Sequence, residues 1–133
     1  MVIIVAYATN NNLHKETDMY QTITREQIKE RIKNQLPTQI VEALPQRYFD
    51  DAHLPDAINI PHDEVRDLAG SMLPNKEAFI VVYCANTPCN NSKIATNTLM
   101  QMGYSNVFEY VEGKQDWIEA NYPLEKSQIK QTG

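Results

Sequence analysis

Cys84 and Cys89 are the residues of this chain best suited to covalent chemistry. Cys84 follows the apolar run 79–83, and a polar loop leads from it to a helical pattern that begins at Ser92. This order predicts a thiol at the carboxyl end of a buried strand, facing a loop whose amides and following helix N-terminus hold an anion. Because such N–H groups stabilise a thiolate, the nucleophilic form of cysteine, we expect Cys84 to be the centre of chemistry.

Each cysteine has competing interpretations. Cys84 is either a nucleophile or an inert buried thiol, since free cysteine is among the most buried residue types, and the polar loop after it favours the nucleophile. Cys89 lines the pocket, resolves a Cys84 sulfenate or persulfide into a disulfide, or is an inert loop residue. A zinc site needs two further ligands, so we expect no metal and no cofactor.

The rest of the loop provides candidate groups for binding an anionic substrate. Backbone N–H groups are the expected principal donors, although Pro88 has none, and Asn side-chain amides add to them. Ser92 is expected to cap the helix that starts there. The expected substrate-binding residues, besides Cys89, are Ala85, Asn86, Thr87, Asn90 and Asn91.

The composition indicates one compact globular domain. Of 133 residues, 42% are hydrophobic and 22% charged, which is typical of neither disordered nor fibrous chains. The formal net charge of −5 argues against a nucleic-acid partner, which needs clustered cations. The apolar segment 2–7 is shorter than a membrane span, so no membrane partner is expected. Two closely spaced cysteines make a poor disulfide framework, and the cytoplasm is therefore the expected compartment.

Apolar spacing predicts strands that alternate with helices. The predicted strands are 40–44, 57–60, 79–83 and 107–110. The predicted helices follow Thr24, Pro61 and Asn91, and a last helix carries Trp117 and Ile118 and ends before Pro123. This alternation indicates an α/β fold of three layers, with a mainly parallel central sheet flanked by helices. Ligands of such sheets bind beyond the carboxyl ends of the strands, where Cys84 is expected.

Local signals set the expected limits of several elements. Thr24 and Gln27 form a capping box, and Ile28, Ile32 and Leu36 then place one helical stripe against a core. Gly103 is expected to end the helix that starts near Ser92.

The last predicted helix turns Trp117 and Ile118 toward the core. The expected division is an N-terminal strand and arm at 1–21, a domain at 22–127 and a tail at 128–133.

The order of several short motifs resembles one known family. The motifs are the strand 40–44, the aromatic pair 48–49, the turn 53–61, Tyr83-Cys84, Gly103-Tyr104, Glu112-Gly113 and Trp117. From about Thr22 to Glu125 they are similar to the rhodanese-like domains, in particular to a single-domain sulfurtransferase subset with a second cysteine in the active-site loop. The matching order over about a hundred residues makes the resemblance specific to the fold.

The resemblance implies a sulfurtransferase. In that family, the cysteine at the position of Cys84 takes sulfane sulfur from thiosulfate or a persulfide and holds it as a persulfide. It then passes the sulfur to a thiophilic acceptor. The implied partners are therefore a small sulfur-containing anion or persulfide donor, and a thiol acceptor such as a protein thiol.

Departures from the family pattern leave two further interpretations open. Glu42 and Leu44 stand where the family commonly has Asp and Arg, and the loop is longer than usual and contains no Arg. One alternative is a non-catalytic or redox-sensing interaction module that uses Cys84 and Cys89. The phosphatase and arsenate-reductase branch is disfavoured, because Asn90 replaces the arginine that would balance a phosphate dianion.

The two histidines near the predicted turns have structural interpretations. His53, in the turn before Leu54-Pro55, is expected to hydrogen-bond within the fold rather than act as a general base. His62 is expected to lie at the surface near a helix start.

Overall fold

A sheet of five parallel strands forms the centre of the computed structural model, which describes residues 20–127. The strands, in chain order, are β1 (Gln21–Thr22), β2 (Gln39–Glu42), β3 (Ile58–Asn59), β4 (Ile80–Tyr83) and β5 (Val107–Tyr110). They pair in the order β1-β5-β4-β2-β3, and every pair is parallel. The expected parallel sheet is confirmed, and β4 is its central strand.

Helices cover both faces of the sheet, as expected. They are α1 (Arg25–Lys33), α2 (Gln46–Asp51), α3 (Val65–Met72), α4 (Asn91–Gln101) and α5 (Gly113–Glu119), and a 3-10 turn (His62–Glu64) precedes α3. Parallel strands require crossover connections, and helices provide them here. Buried residues of α3 and α4 form one hydrophobic cluster, and those of α1 and α5 form another.

The two clusters divide along β4 because side chains of a strand alternate between its faces. Ile80 and Val82 belong to the cluster with α3 and α4. Val81 and Tyr83 belong to the cluster with α1 and α5, where Trp117 is fully buried. Cys84, which continues this alternation, therefore lies on the side of α4.

Helix α1 begins as predicted but ends earlier. The Thr24 capping box is present, with Gln27 N–H donating to the Thr24 hydroxyl. Gln35 adopts a left-handed conformation with φ of 57°, and the Leu36 amide donates to the Arg31 carbonyl. This C-terminal motif turns the chain away, so the prediction that Leu36 faces the core is wrong; its side chain is 45% exposed.

Other predictions have mixed outcomes. Gly103 follows the last turn of α4 with φ of 98°, as expected of a residue that ends a helix. Ile118 is exposed, which corrects its expected place beside Trp117 in the core. The strand predicted at 2–7, most of the arm and the tail at 128–133 lie outside the described residues, so the domain limits stay predictions.

Within residues 20–127, none of the helices combines the length and the apolar character required to cross a lipid bilayer.

Candidate functional site

Cys84 lies where the central strand meets the carboxyl edge of the sheet. The last residue of β4, Tyr83, pairs with Glu42 of β2 on one side and with Tyr110 of β5 on the other. The loop 85–90 then connects Cys84 to α4. This edge is where open α/β sheets bind ligands, so the strand, the loop and α4 stand in the arrangement expected from the sequence.

The N-terminus of α5 holds the first peptides of the loop in place. The amide of Lys114 donates to the Cys84 carbonyl and that of Gln115 donates to the Ala85 carbonyl, both at 2.9 Å. The described peptide bonds are trans, and the C=O and N–H of a trans peptide point in opposite directions. The amides of Ala85 and Asn86 are therefore directed away from α5.

Gly113 makes this contact possible. It has φ of 72°, and a Cβ atom built on it would lie 2.6 Å from the Cys84 carbonyl oxygen. Only glycine tolerates both the left-handed backbone and this approach without strain. The Glu112-Gly113 motif thus has a specific structural role beside the loop.

The two cysteines of the loop form a disulfide. Cys84 Sγ is bonded to Cys89 Sγ, with 6.5 Å between the Cα atoms. Cys84 is 1% exposed, whereas Cys89 is partly exposed. From the sequence we also expect a Cys84 sulfur that is open to small molecules, and in the disulfide form this expectation is wrong because the residue is buried. Of the roles considered for Cys89, the structure places it as the disulfide partner of Cys84.

The sulfur of Cys84 faces the start of α4. The Ser92 amide donates to Cys84 Sγ at 3.4 Å, and Ser92 Oγ lies 3.3 Å from the same sulfur. A sulfur of a disulfide carries no proton, so it is the acceptor in this form. The amide that contacts it comes from the helix rather than from the loop residues expected to do so.

The remaining predicted binding residues belong to the loop or to the first residue of α4, and they lie at or near the protein surface. A cavity of about 250 Å³ is lined by Asn86, Thr87, Pro88 and the exposed side of α5. Cys84 does not line it. The Asn86 carbonyl accepts from the Cys89 amide in a turn. The other members of the set border the loop at its ends and are partly or fully exposed: Ala85, Asn90 and Asn91.

Ser92 does not cap the helix, which corrects its predicted role. The N-cap of α4 is Asn90, and Ser92 is the second residue of the helix. Its hydroxyl donates instead to Oε2 of Glu109 at 2.6 Å. This carboxylate on β5 competes successfully for the hydroxyl because a hydrogen bond to an ionised acceptor is stronger than one to a neutral group.

Two buried carboxylates flank the central strand, and the role of neither was recognised from the sequence. Glu109 is 2% exposed and accepts from Ser92 and from the Tyr20 hydroxyl, with Lys93 Nζ 3.6 Å away. The sequence feature that could have revealed Glu109 is a carboxylate within the otherwise apolar strand β5. Burial of a charge requires such partners.

Glu42 is the second carboxylate, and it lies on the other face of the sheet. It is fully buried, accepts from the Tyr83 hydroxyl at 2.6 Å and from the Lys114 ammonium at 3.0 Å. Burial raises the pKa of Glu42, and the hydrogen bonds from Tyr83 and Lys114 oppose that shift. Burial beside this carboxylate raises the pKa of Tyr83 as well.

Removal of the Lys114 ammonium is expected to destabilise the protein, and more so at high pH. Lys114→Met leaves Glu42 buried without its cation, which raises the pKa of Glu42 further above its unfolded value of about 4.3. The folded state then binds a proton more tightly than the unfolded state, so stability falls as pH rises through this window. We expect urea unfolding to show a loss of about 3 kcal/mol at pH 8 and a smaller loss at pH 5.

Lys33→Met is the matched control for this experiment. Lys33 is exposed in the last turn of α1, and its replacement is expected to change stability by less than about 0.5 kcal/mol at either pH. An equal loss for Lys114→Met at pH 5 and pH 8 would contradict the assigned ion pair.

The histidines have structural surroundings. His53 is buried, stacks on Phe49 with 3.8 Å between ring centroids, and its Nδ1 lies 2.7 Å from the Phe49 carbonyl oxygen. These contacts agree with the structural role expected for it. His62 lies in the 3-10 turn and lines a separate cavity of about 360 Å³. In the part of the chain that the structure describes, no three side chains of His, Cys, Asp or Glu group as metal ligands would.

Comparison with known proteins identifies relatives of this architecture. A family model described as "Rhodanese-like domain" matches residues 24–120. The Bacillus subtilis protein YrkF, whose provisional name is sulfur carrier protein, is 25% identical over 95 residues, covering 71% of this chain and 49% of that protein.

Two further relatives are informative. The adenylyltransferase and sulfurtransferase uba4 of Ogataea parapolymorpha is 29% identical over 98 residues, covering 71% of this chain and 24% of that protein. The crystal structure of a rhodanese-related protein from Thermoplasma volcanium superimposes with a TM-score of 0.69 at 26% identity, covering 81% of this chain and all of that one. The chain spans half or less of the length of the curated relatives it matches.

Proposed function

We propose, from the premise that the chain belongs to the rhodanese-like domain family, that it is a sulfurtransferase whose nucleophile and sulfur carrier is Cys84. The names of its relatives, which include a sulfurtransferase, support this activity. The donor is thiosulfate or a persulfide, and the acceptor is a thiophile such as a protein thiol. No cofactor or metal takes part, and a reducing compartment such as the cytoplasm maintains the active thiol.

The position of the Cys84 sulfur carries the proposal. Its Sγ accepts the Ser92 amide at the start of α4, a helix of 11 residues whose N-terminal amides favour negative charge. The bonds from Lys114 and Gln115 keep the first loop peptides turned so that their amides face away from α5. The same dipoles that favour a thiolate would favour the anions that enter and leave the site.

The reaction consists of two displacements at sulfur. The Cys84 thiolate attacks the outer sulfur of thiosulfate, an S–S bond forms to Cys84, and the bond to the leaving sulfite breaks with its electron pair. An acceptor thiolate or cyanide then attacks the terminal sulfur of the persulfide, and the Cys84 thiolate leaves. In this proposal, the loop residues that bind the anion are Ala85, Asn86, Thr87, Asn90 and Asn91, with Cys89 beside them.

Mass spectrometry of the intact protein tests this function. Reduced protein treated with thiosulfate or polysulfide is expected to gain one sulfur atom, and Cys84→Ser is expected to gain none. Cys89→Ser, which removes the other thiol, should still gain it. The absence of any adduct with both donors would overturn the proposal.

A second candidate function, a redox-responsive interaction module, is favoured by the Cys84–Cys89 disulfide. Oxidation would close the loop, and a reductant would reach the partly exposed Cys89 rather than the buried Cys84. This candidate predicts an oxidant-dependent loss of two hydrogens that Cys89→Ser abolishes, with slow transfer from thiosulfate to cyanide in the reduced protein. Rapid transfer by the reduced protein would instead favour the enzyme.

A phosphatase or arsenate-reductase function is disfavoured by the surroundings of Lys93. Its ammonium, the cation nearest the start of α4 in sequence, lies 3.6 Å from Glu109 Oε1. It is therefore already partnered, and no arginine occupies the loop. We expect no turnover of aryl phosphates or arsenate.

A further inference from the structure

Ser92 connects the Cys84 sulfur to the carboxylate of Glu109. Ser92 Oγ lies 3.3 Å from Cys84 Sγ and 2.6 Å from Glu109 Oε2, and all three residues are buried. An ionised carboxylate only accepts hydrogen bonds, so the single hydroxyl proton of Ser92 is directed to Glu109. The lone pairs of the Ser92 oxygen are then left to face the sulfur.

The contacts of Glu109 are those of a hydrogen-bond acceptor. From α4, the Lys93 ammonium lies 3.6 Å from Oε1, and the Tyr20 hydroxyl donates to the same oxygen. From α5, Lys114 binds Glu42 on the other face of the sheet, and Glu112, which directly precedes α5, is exposed to solvent. Glu109 is therefore the buried carboxylate that faces the sulfur through a single intervening atom, Ser92 Oγ.

When the disulfide is reduced, the Ser92–Glu109 pair favours the neutral thiol and so opposes the Ser92 amide and the N-terminus of α4, which favour the thiolate. A Cys84 S–H would donate to the Ser92 oxygen, whereas a Cys84 thiolate would meet the lone pairs of that oxygen and the charge of Glu109 behind it. The Ser92 amide remains the donor to the thiolate. A serine that gave its proton to the sulfur would have the opposite effect.

We propose that Glu109 is a positioning residue that acts through Ser92: by taking the Ser92 proton, it makes the serine an acceptor for the Cys84 thiol and shifts thiolate formation to higher pH. A less acidic thiol is the stronger nucleophile once ionised and the poorer leaving group. The pair therefore tunes both the loading of Cys84 and the retention of its sulfur.

The test is the pH profile of Cys84 alkylation by iodoacetamide in the reduced protein. A Cys89→Ser background makes Cys84 the single thiol of the chain, since the sequence has two cysteines. Glu109→Gln removes the charge and is expected to lower the pH midpoint by about one unit. The rate at pH 7 then rises about threefold, because about tenfold more thiolate is offset by about threefold lower nucleophilicity. Glu109→Asp keeps the charge and is expected to stay near the parent midpoint.

Ser92→Ala provides a second test, in which the direction of the shift in the pH midpoint decides whether the hydroxyl accepts from the thiol or donates to the thiolate. If the hydroxyl accepts from the thiol, its loss lowers the midpoint by about half a unit, less than Glu109→Gln does because the charge remains. If the hydroxyl donates to the thiolate, its loss raises the midpoint. A raised midpoint for Ser92→Ala, or an unchanged or raised one for Glu109→Gln, would overturn the proposal. Because a single buried serine is replaced by the smaller alanine, this variant remains usable if Glu109→Gln fails to fold.

Glu42→Gln is the matched control, a buried carboxylate on the opposite face of the sheet with no contact to Cys84 among its hydrogen bonds. It is expected to leave the midpoint unchanged. A shift equal to that of Glu109→Gln would mean that any buried charge acts at long range, and it would also overturn the specific role of Glu109.

The inference rests on the proposed function only in taking Cys84 as the nucleophile. Alkylation requires no sulfur transfer, so the failure of either proposal is seen separately.

Discussion

Reduction of the Cys84–Cys89 disulfide is expected to raise the rate of sulfur transfer from thiosulfate to cyanide by at least about a thousandfold. In the disulfide, the Cys84 sulfur is not a thiolate and cannot attack a donor as a nucleophile. Cys84 is also buried. The measurement compares protein oxidised to the disulfide, as verified by its mass, with the same protein after a phosphine reductant has been added and removed.

The two single-cysteine variants define the controls for this switch. Cys89→Ser cannot form the disulfide, so its rate is expected to be high and independent of the reductant. Cys84→Ser is expected to be inactive with and without the reductant, because the nucleophile is absent. Comparable rates for the oxidised and reduced wild-type protein would show that Cys84 is not the group that carries sulfur.

Gly113→Ala is expected to reduce sulfur transfer about a hundredfold and to destabilise the fold by about 2 kcal/mol. The new Cβ would lie 2.6 Å from the Cys84 carbonyl oxygen, and alanine disfavours the φ of 72° at this position. The start of α5 must then move away, and the Lys114 amide loses its bond to that carbonyl. Thiosulfate–cyanide kinetics and urea unfolding measure the two effects.

Gly70→Ala makes the same chemical change where the structure accommodates it. Gly70 lies in α3, and nothing is within 4 Å of a Cβ atom built on it. Alanine has the higher helix propensity, so we expect a gain of about 0.5–1 kcal/mol and an unchanged transfer rate. If Gly113→Ala kept more than half of the wild-type rate, the contact between α5 and the loop would not matter for the site.

Two helix limits were predicted correctly because their signals lie in neighbouring residues. The Thr24 capping box and the end of α4 at Gly103 are formed by residues within a few positions of one another, so their signals are complete in the sequence. The prediction that Leu36 continues the apolar face of α1 was wrong, because Gln35 adopts a left-handed conformation and the helix ends before Leu36. A glutamine in the sequence does not indicate that conformation. The six-residue helix α2 was likewise missed, because its polar sequence lacks a clear apolar period.

The amino-acid sequence by itself determined the order of the elements along the chain: an apolar strand, a cysteine, a polar loop and a helix. This order specifies a parallel α/β fold with Cys84 at the edge of the sheet. Tertiary structure alone decided what meets that thiol. Ser92 and Glu109 are 17 residues apart, and they touch because β5 pairs with β4 and carries its carboxylate against the start of α4. A hydroxyl with one proton must choose among acceptors, and only their positions in space determine which one receives it.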